Sequence, residues 1–194
     1  MQASIFERIG AYVLDLLIVG FLTSIITFAV PTKESTTSDE LFSLIDSYRT
    51  GEISNEKYYQ EYQDIIYKGN KESVKENALG LAITIAYFVI FEYLNKGKTI
   101  GKLALGLKTT TKDNKPPKFI NEFLRSLIPF GILSTTINLI LINSVKKAIY
   151  LKVFPIIGLL ETMFILITIV LITKKREGLH DLLAGTKVIK EERR

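Results

Sequence analysis

Four stretches of this chain are too apolar, for too long, to belong to helices that water wets on one side. They run from Ile9 to Val30, Ala78 to Leu94, Phe123 to Ile142 and Val153 to Thr173, and strongly charged sequence separates them. A hydrocarbon layer about 30 Å thick needs about 20 apolar residues per helical crossing, with about 17 as the lower limit. The second run sits at that limit. None of the four alternates apolar and polar residues as barrel strands do. The chain therefore reads as all-α, a polytopic membrane helix bundle of about four transmembrane helices with an amphipathic cytoplasmic tail. Its 194 residues leave room for a single membrane domain over 1–194, with an extracellular helical insertion at 31–77.

A cleaved leader has an apolar core of about 7–15 residues and a small-residue cleavage site. The first run is longer, carries Asp15 and ends at Pro31 without such a site, so it reads as a retained helix. Orientation follows from the lysines and arginines beside the runs. The connection 95–122 carries seven (Lys96, Lys98, Lys102, Lys108, Lys112, Lys115, Lys118), the tail from Lys174 carries seven, and Arg8 adds one. The loop 31–77 has six basic against ten acidic residues, and Lys146, Lys147 and Lys152 add three on that side. Fifteen against nine places both termini in the cytoplasm of a multi-pass plasma-membrane protein. The net charge of +5 then reflects topology and attraction to anionic lipids at the cytoplasmic face, and no nucleic-acid partner is expected.

The chain has no cysteine, which excludes disulfides, zinc–thiolate sites and thiol nucleophiles. In the outer loop, Leu41, Leu44, Ile45 and Tyr48 recur at helical spacing, as do Tyr58, Tyr62, Ile65 and Ile66. Two amphipathic helices are expected there, the second capped by Ser54, lying on the interface or on each other.

Charges inside the runs carry the functional information. Asp15 lies seven residues into the first run, about 10 Å deep. An acid near a helix centre costs about 3 kcal/mol on insertion scales, so it must face protein or water and find a partner. Arg8 shares its helix face but lies about 10 Å away along the axis, so a third group is required. Ala11, between them, lets another segment approach closely. The segment Gly178–Thr186 is expected to supply Asp181 toward Arg8 or Arg125, fastened by Leu179, Leu182 and Leu183. Arg8, Asp15 and Asp181 then form a charged core. An ion or proton pathway and an ion-paired structural clasp explain that core equally well.

These positions bring a family into view. Arg8 through Asp15, then Thr99-Ile100-Gly101-Lys102-Leu103-Ala104-Leu105-Gly106-Leu107, then Arg125, then His180, Asp181 and Thr186 resemble the RDD family of small membrane proteins. The family is named for one arginine and two aspartates, placed as Arg8, Asp15 and a later aspartate stand here. The resemblance implies the membrane fold. It also implies transport, since sodium–proton exchange is suggested for some members.

Other polar positions divide between function and bland packing. Glu161, near mid-membrane in the fourth run, is a candidate ion or substrate site beside Asp15; its bland alternative is a hydrogen bond to Asn138 or Thr135. Glu92 is expected to reach the interface or pair with Lys96. His180, the only histidine, either titrates beside Asp181 or caps the tail. The glycines of 97–106 lack phosphate-loop spacing and read as a tight turn with a short interfacial helix, Gly101 and Gly106 permitting close approach. Pro129 and Gly131 are expected to kink the third helix. No metal site, cofactor or enzyme activity is expected, because no base stands ready to activate a hydroxyl. The leading expectation is movement of a small ion or solute on intramembrane carboxylates. The alternative is a non-catalytic membrane regulator or scaffold that binds another membrane protein. With only four helices, a homo-oligomer is expected to enclose any pathway.

Overall fold

The structure, a computed structural model, describes residues 2–29 and 36–191; the end of the first apolar run and residues 31–35 of the insertion lie outside them. Apolar sequence dictates most of it. Helix α1 spans Ile5–Ala29, and only Ala11, Asp15 and Val19 on it are buried. That spacing of four residues is one helical stripe. Most of its other apolar side chains, Phe6, Val13, Leu17, Phe21 and Ile25 among them, are exposed, as a lipid-facing helix requires.

Beyond α1 come α2 (Thr37–Arg49) and α3 (Asn55–Glu72). They form a hairpin, with Leu44 buried, Tyr48 against Tyr58 at 4.5 Å between ring centroids, and the Ser54 hydroxyl accepting from the Lys57 amide. The hairpin docks on the bundle through Tyr67 against Tyr150 and an Asp64–Lys147 ion pair.

Helix α4 runs Val74–Leu94, four residues longer at its start than the apolar run, and is long enough to cross. It is wound as a π-helix over Ala86–Phe91. The extra residue per turn lets consecutive Tyr87, Phe88 and Val89 all be buried and still turns Glu92 inward. Such stretches are rare and concentrate at functional places. The Ser126 hydroxyl donates to the Phe88 carbonyl within this stretch. Phe88 stacks on Phe130, and Val19, Ile18 and Ile83 complete that part of the core.

The third apolar run departs from the expected continuous crossing. It is two helices, α6 (Phe119–Ser126) and α7 (Ile132–Ser144), with Leu127–Gly131 between them; α5 (Ile100–Ala104) lies earlier in the chain. Pro129 cannot donate a helical hydrogen bond, and Gly131 takes φ 66°, so the expected kink is a full break. Helix α7 alone has 13 residues, about 20 Å of rise. Helix α8 (Lys147–Lys175) is the third helix long enough to cross. The described residues thus hold three membrane-length helices and one shorter apolar helix.

The tail is a short helix, α9 (Leu179–Ala184), and a strand, β2 (Thr186–Lys190), paired antiparallel with β1 (Leu107–Thr111) so that Thr109 faces Val188. Gln2 bridges Ile189 and the Ala3 amide donates to the Val188 carbonyl. Both described ends of the chain therefore lie together, on the side opposite the α2–α3 hairpin.

Candidate functional site

Asp15 is 2% exposed, and its carboxylate is filled by hydrogen bonds from three separate groups. Oδ1 accepts from the Tyr87 hydroxyl at 2.6 Å and the Gly101 amide at 2.7 Å; Oδ2 accepts from the Thr99 hydroxyl at 2.6 Å. The same Thr99 hydroxyl accepts the Lys102 amide as N-cap of α5, and the Tyr87 hydroxyl accepts the Ile100 amide. Gly101 is needed here for its missing side chain. A Cβ on it would sit 2.2 Å from the Ala11 carbonyl oxygen and 2.8 Å from the Asp15 carboxyl. The expected close approach at Ala11 is this one. Gly106 has nothing within 4 Å of such a Cβ; it serves its turn through φ 65°, not through close packing.

Asp15 does not join the Arg8–Asp181 group, contrary to the single charged core expected from sequence. Its partners are neutral and come from α4 and α5. The third group that Arg8 and Asp15 required resolves into two different sets.

Asp181 centres the second set. Its Oδ2 accepts from Arg8 Nη1 at 2.7 Å and from the Gly178 amide at 3.2 Å. Its Oδ1 accepts from Arg125 Nε at 2.9 Å and Thr186 Oγ1 at 3.4 Å. The expectation of Arg8 or Arg125 is met by both at once. Burial would raise the Asp181 pKa, but Arg125 and Arg8 hold its carboxyl well below the usual carboxylate range. Arg8 also donates to the Arg176 carbonyl, tying α1 to the end of α8.

Arg125 continues the network to Glu92, Nη1 to Oε1 at 3.3 Å, and Lys102 Nζ pairs with the same oxygen. Thr109 Oγ1 donates to that oxygen at 2.8 Å. Glu92 is fully buried, so the expected interfacial pairing with Lys96 is wrong. The π-helical stretch turns Glu92 toward the α5–β1 connection, away from water. Burial, reinforced by Arg125, pulls the Lys102 pKa below the usual lysine range against the pull of Glu92.

His180 Nε2 lies 3.5 Å from Asp181 Oδ1, and its Nδ1 is buried without a partner. Burial depresses its pKa to about 4 despite Asp181. Glu161 Oε1 accepts from Ser134 at 2.9 Å, in place of the expected Asn138 or Thr135; Asn138 instead takes the Tyr150 hydroxyl. Gly131, at the helix break, lies beside the Glu161 carboxyl, and the Tyr12 hydroxyl donates to the neighbouring Pro129 carbonyl at 3.2 Å.

A cavity of about 430 Å³ opens between α1 and α8, and Arg8, Asp15, Arg125 and His180 are among the residues that line it. Two residues of the network escaped the sequence reading. Thr109 was hidden in a strand that was not anticipated, and Glu122, fully buried on α6, looked like a linker acid. Its spacing of three from Arg125, on one helix face, was the available signal.

A model of the RDD family matches residues 2–185, nearly the whole chain. The chain belongs to the RDD family. No curated protein and no solved structure matches it. The RDD match runs across α2 and α3 as well, and it takes in every residue of both sets except Thr186, one position past its end. Together with three membrane-length apolar helices, it makes the chain an integral membrane protein in contact with the lipid bilayer. Among the described residues, no group of three or more histidines, cysteines or acids is arranged to hold a metal ion.

Proposed function

We propose that this RDD protein moves a small ion or solute across the plasma membrane, at a site built on the carboxylates of Asp15 and Glu161. One observation supports this reading above the others. Both carboxylates lie well inside membrane-length helices and accept hydrogen bonds only from neutral groups, with no ion-pair partner among the described residues. Asp181 and Glu92, by contrast, are matched with cations. A negative charge left unmatched at membrane depth is costly, and a transported cation or proton would supply the missing charge. Asp15 borders the α1–α8 cavity, and Glu161 faces a break in a helical segment. Broken helices free backbone carbonyls that coordinate cations at membrane depth. In this reading the Arg8–Asp181–Arg125–Glu92–Lys102 network is the clasp that fixes α1 to the tail, and the protein is not an enzyme. Both termini are proposed to face the cytoplasm, on the excess of lysine and arginine there, with Lys96, Lys98 and Lys108 against anionic lipids.

A regulatory or scaffolding role is the second reading, and the outer face of α8 favours it. Ile156, Leu159, Leu160, Met163 and Leu166 are each half or more exposed, a surface that another membrane helix or a second copy would cover.

The test is ion flux in vesicles reconstituted with the full chain, read with entrapped proton- and sodium-sensitive dyes. Flux above protein-free vesicles that is lost in Glu161→Gln and Asp15→Asn, with thermal unfolding unchanged for Glu161→Gln, supports transport. Flux no greater than in empty vesicles, for every ion tried, refutes it and leaves the regulatory reading.

A further inference from the structure

Glu122 presents a problem that the described ion pairs do not solve. It is fully buried on α6, and neither carboxyl oxygen has a hydrogen-bond partner. Glu92 Oε2 is buried without a partner as well, since Lys102, Thr109 and Arg125 all use Oε1. Three orphan carboxyl oxygens thus lie on two helices packed against each other, with Glu92 close enough to act on Glu122, and two ionised acids there would leave lone pairs unanswered and like charges facing. A single proton resolves both faults, because a carboxyl O–H donates to a carboxylate.

We propose that Glu92 and Glu122 form a proton-binding pair, in which Glu122 carries the proton and donates it to the free oxygen of Glu92. The groups facing Glu122 are Glu92 from α4, Lys102 from α5 and Arg125 on its own helix; through Arg125 they connect to Asp181 and His180 on α9 and Arg8 on α1. Burial first, and then the charge of Glu92, push the Glu122 pKa up to about 8, with Lys102 and Arg125 opposing. Loss of the proton puts a second negative charge beside cations already committed to Glu92 and Asp181. Arg125 or Lys102 must then be shared differently, and Arg125 is the link to the Asp181–Arg8 clasp. The site therefore makes the grip between α1 and the tail sensitive to pH in the alkaline range. It stands apart from Asp15 and Glu161 and does not rest on the transport reading.

Infrared spectroscopy of the full chain in a lipid film, titrated from about pH 6 to about pH 10, reads the protonated carboxyl stretch directly. The expected result is a protonated-carboxyl band that disappears with a midpoint of about 8. The band should be missing in Glu122→Gln, whose amide mimics the neutral acid in size. In Glu92→Gln its midpoint should fall by about one unit or more, since the like charge is gone. Protein labelled with carbon-13 glutamate supplies a check that needs no variant: the band must shift with the label. Absence of the band at about pH 6, its failure to shift with the label, or its persistence unchanged in Glu122→Gln overturns the proposal.

Discussion

Replacing Gly101 with alanine should damage this protein more than adding a methyl group at any glycine of its crossing helices. The new Cβ would lie 2.2 Å from the Ala11 carbonyl oxygen, where ordinary contacts begin at 3.4 Å. The shortfall is about 1 Å, and because the obstacle is backbone, no side chain can rotate away to absorb it. If α1 and α5 part by that distance, the Gly101 amide bond to Asp15, now 2.7 Å, stretches beyond hydrogen-bond range. Losing a bond to a charged group costs about 1.5–3 kcal/mol. Overpacking adds about 1–3 kcal/mol. The sum, about 2.5–6 kcal/mol, is a large part of the roughly 5–15 kcal/mol that holds a folded domain. Thermal unfolding in detergent, followed by tyrosine fluorescence or circular dichroism, should show a fall of about 5–24 °C. Gly20→Ala and Gly158→Ala are the controls, since nothing lies within 4 Å of either added Cβ. On helix propensity they should be neutral or stabilising by up to about 1 kcal/mol. Equal melting of Gly101→Ala and these controls would refute the claim that α1 and α5 are locked by backbone contact.

Removing one member of the buried pairs leaves an uncompensated charge, so Asp181→Asn and Arg8→Met should each cost about 3–5 kcal/mol in chemical unfolding. The double reversal Arg8→Asp with Asp181→Arg should recover little of that loss, because Arg125 would then face another arginine; full recovery would show that Arg125 does not share Asp181. Tyr87→Phe keeps the stack on Phe91 but removes one donor to Asp15, and should lower stability by about 1–3 kcal/mol on the same assay. The His180 pKa is depressed from 6.5 to about 4, so the folded state binds fewer protons there than the unfolded chain. Its contribution is complete above about pH 6.5 and is lost as pH falls toward 4, a change that His180→Gln should abolish in melts taken across that window. Glu122 has the opposite sign. Its raised pKa makes stability decline from about 4.5 toward about 8, and Glu122→Gln should remove that slope from the melting profile between those two values.

The membrane class was legible because hydrocarbon imposes a length and a composition at once. The same constraint located α1 to within four residues, and α4 and α8 apart from the polar turns at their starts. The outer hairpin was legible from the spacing of Leu41 to Tyr48 and Tyr58 to Ile66, and from Ser54. What stayed hidden was geometry that apolar composition does not encode. Nothing in Ala86–Phe91 distinguishes a π-helix from an α-helix by hydropathy, yet that choice decides whether Glu92 meets water or Arg125. The strands at Leu107–Thr111 and Thr186–Lys190 are five residues each and contain lysines, and they pair only because the tail is brought back onto the middle of the chain. Arg8 and Asp181 could be coupled from charge balance alone. Asp15 could not be placed, since neutral donors such as Tyr87, Thr99 and a glycine amide leave no charge signature.

Those donors explain why the stretch 97–109 carries so much of the architecture. Gly97, with φ 87°, turns the chain out of α4, and Thr99 and Gly101 deliver two of the three bonds to Asp15. One residue later Lys102 turns to the other set and pairs with Glu92, and Thr109 follows on the same oxygen. One short segment therefore answers the acid in the first helix with neutral groups and the acid in the second with charge. Shifting its register by a single residue would exchange Gly101 for a side chain at the Ala11 carbonyl and withdraw the ammonium from Glu92, so both acids would lose their partners together. A single-alanine insertion after Leu94 is the corresponding experiment. It should abolish folding outright, whereas the same insertion between α2 and α3 at Gly51, an exposed turn, should be tolerated.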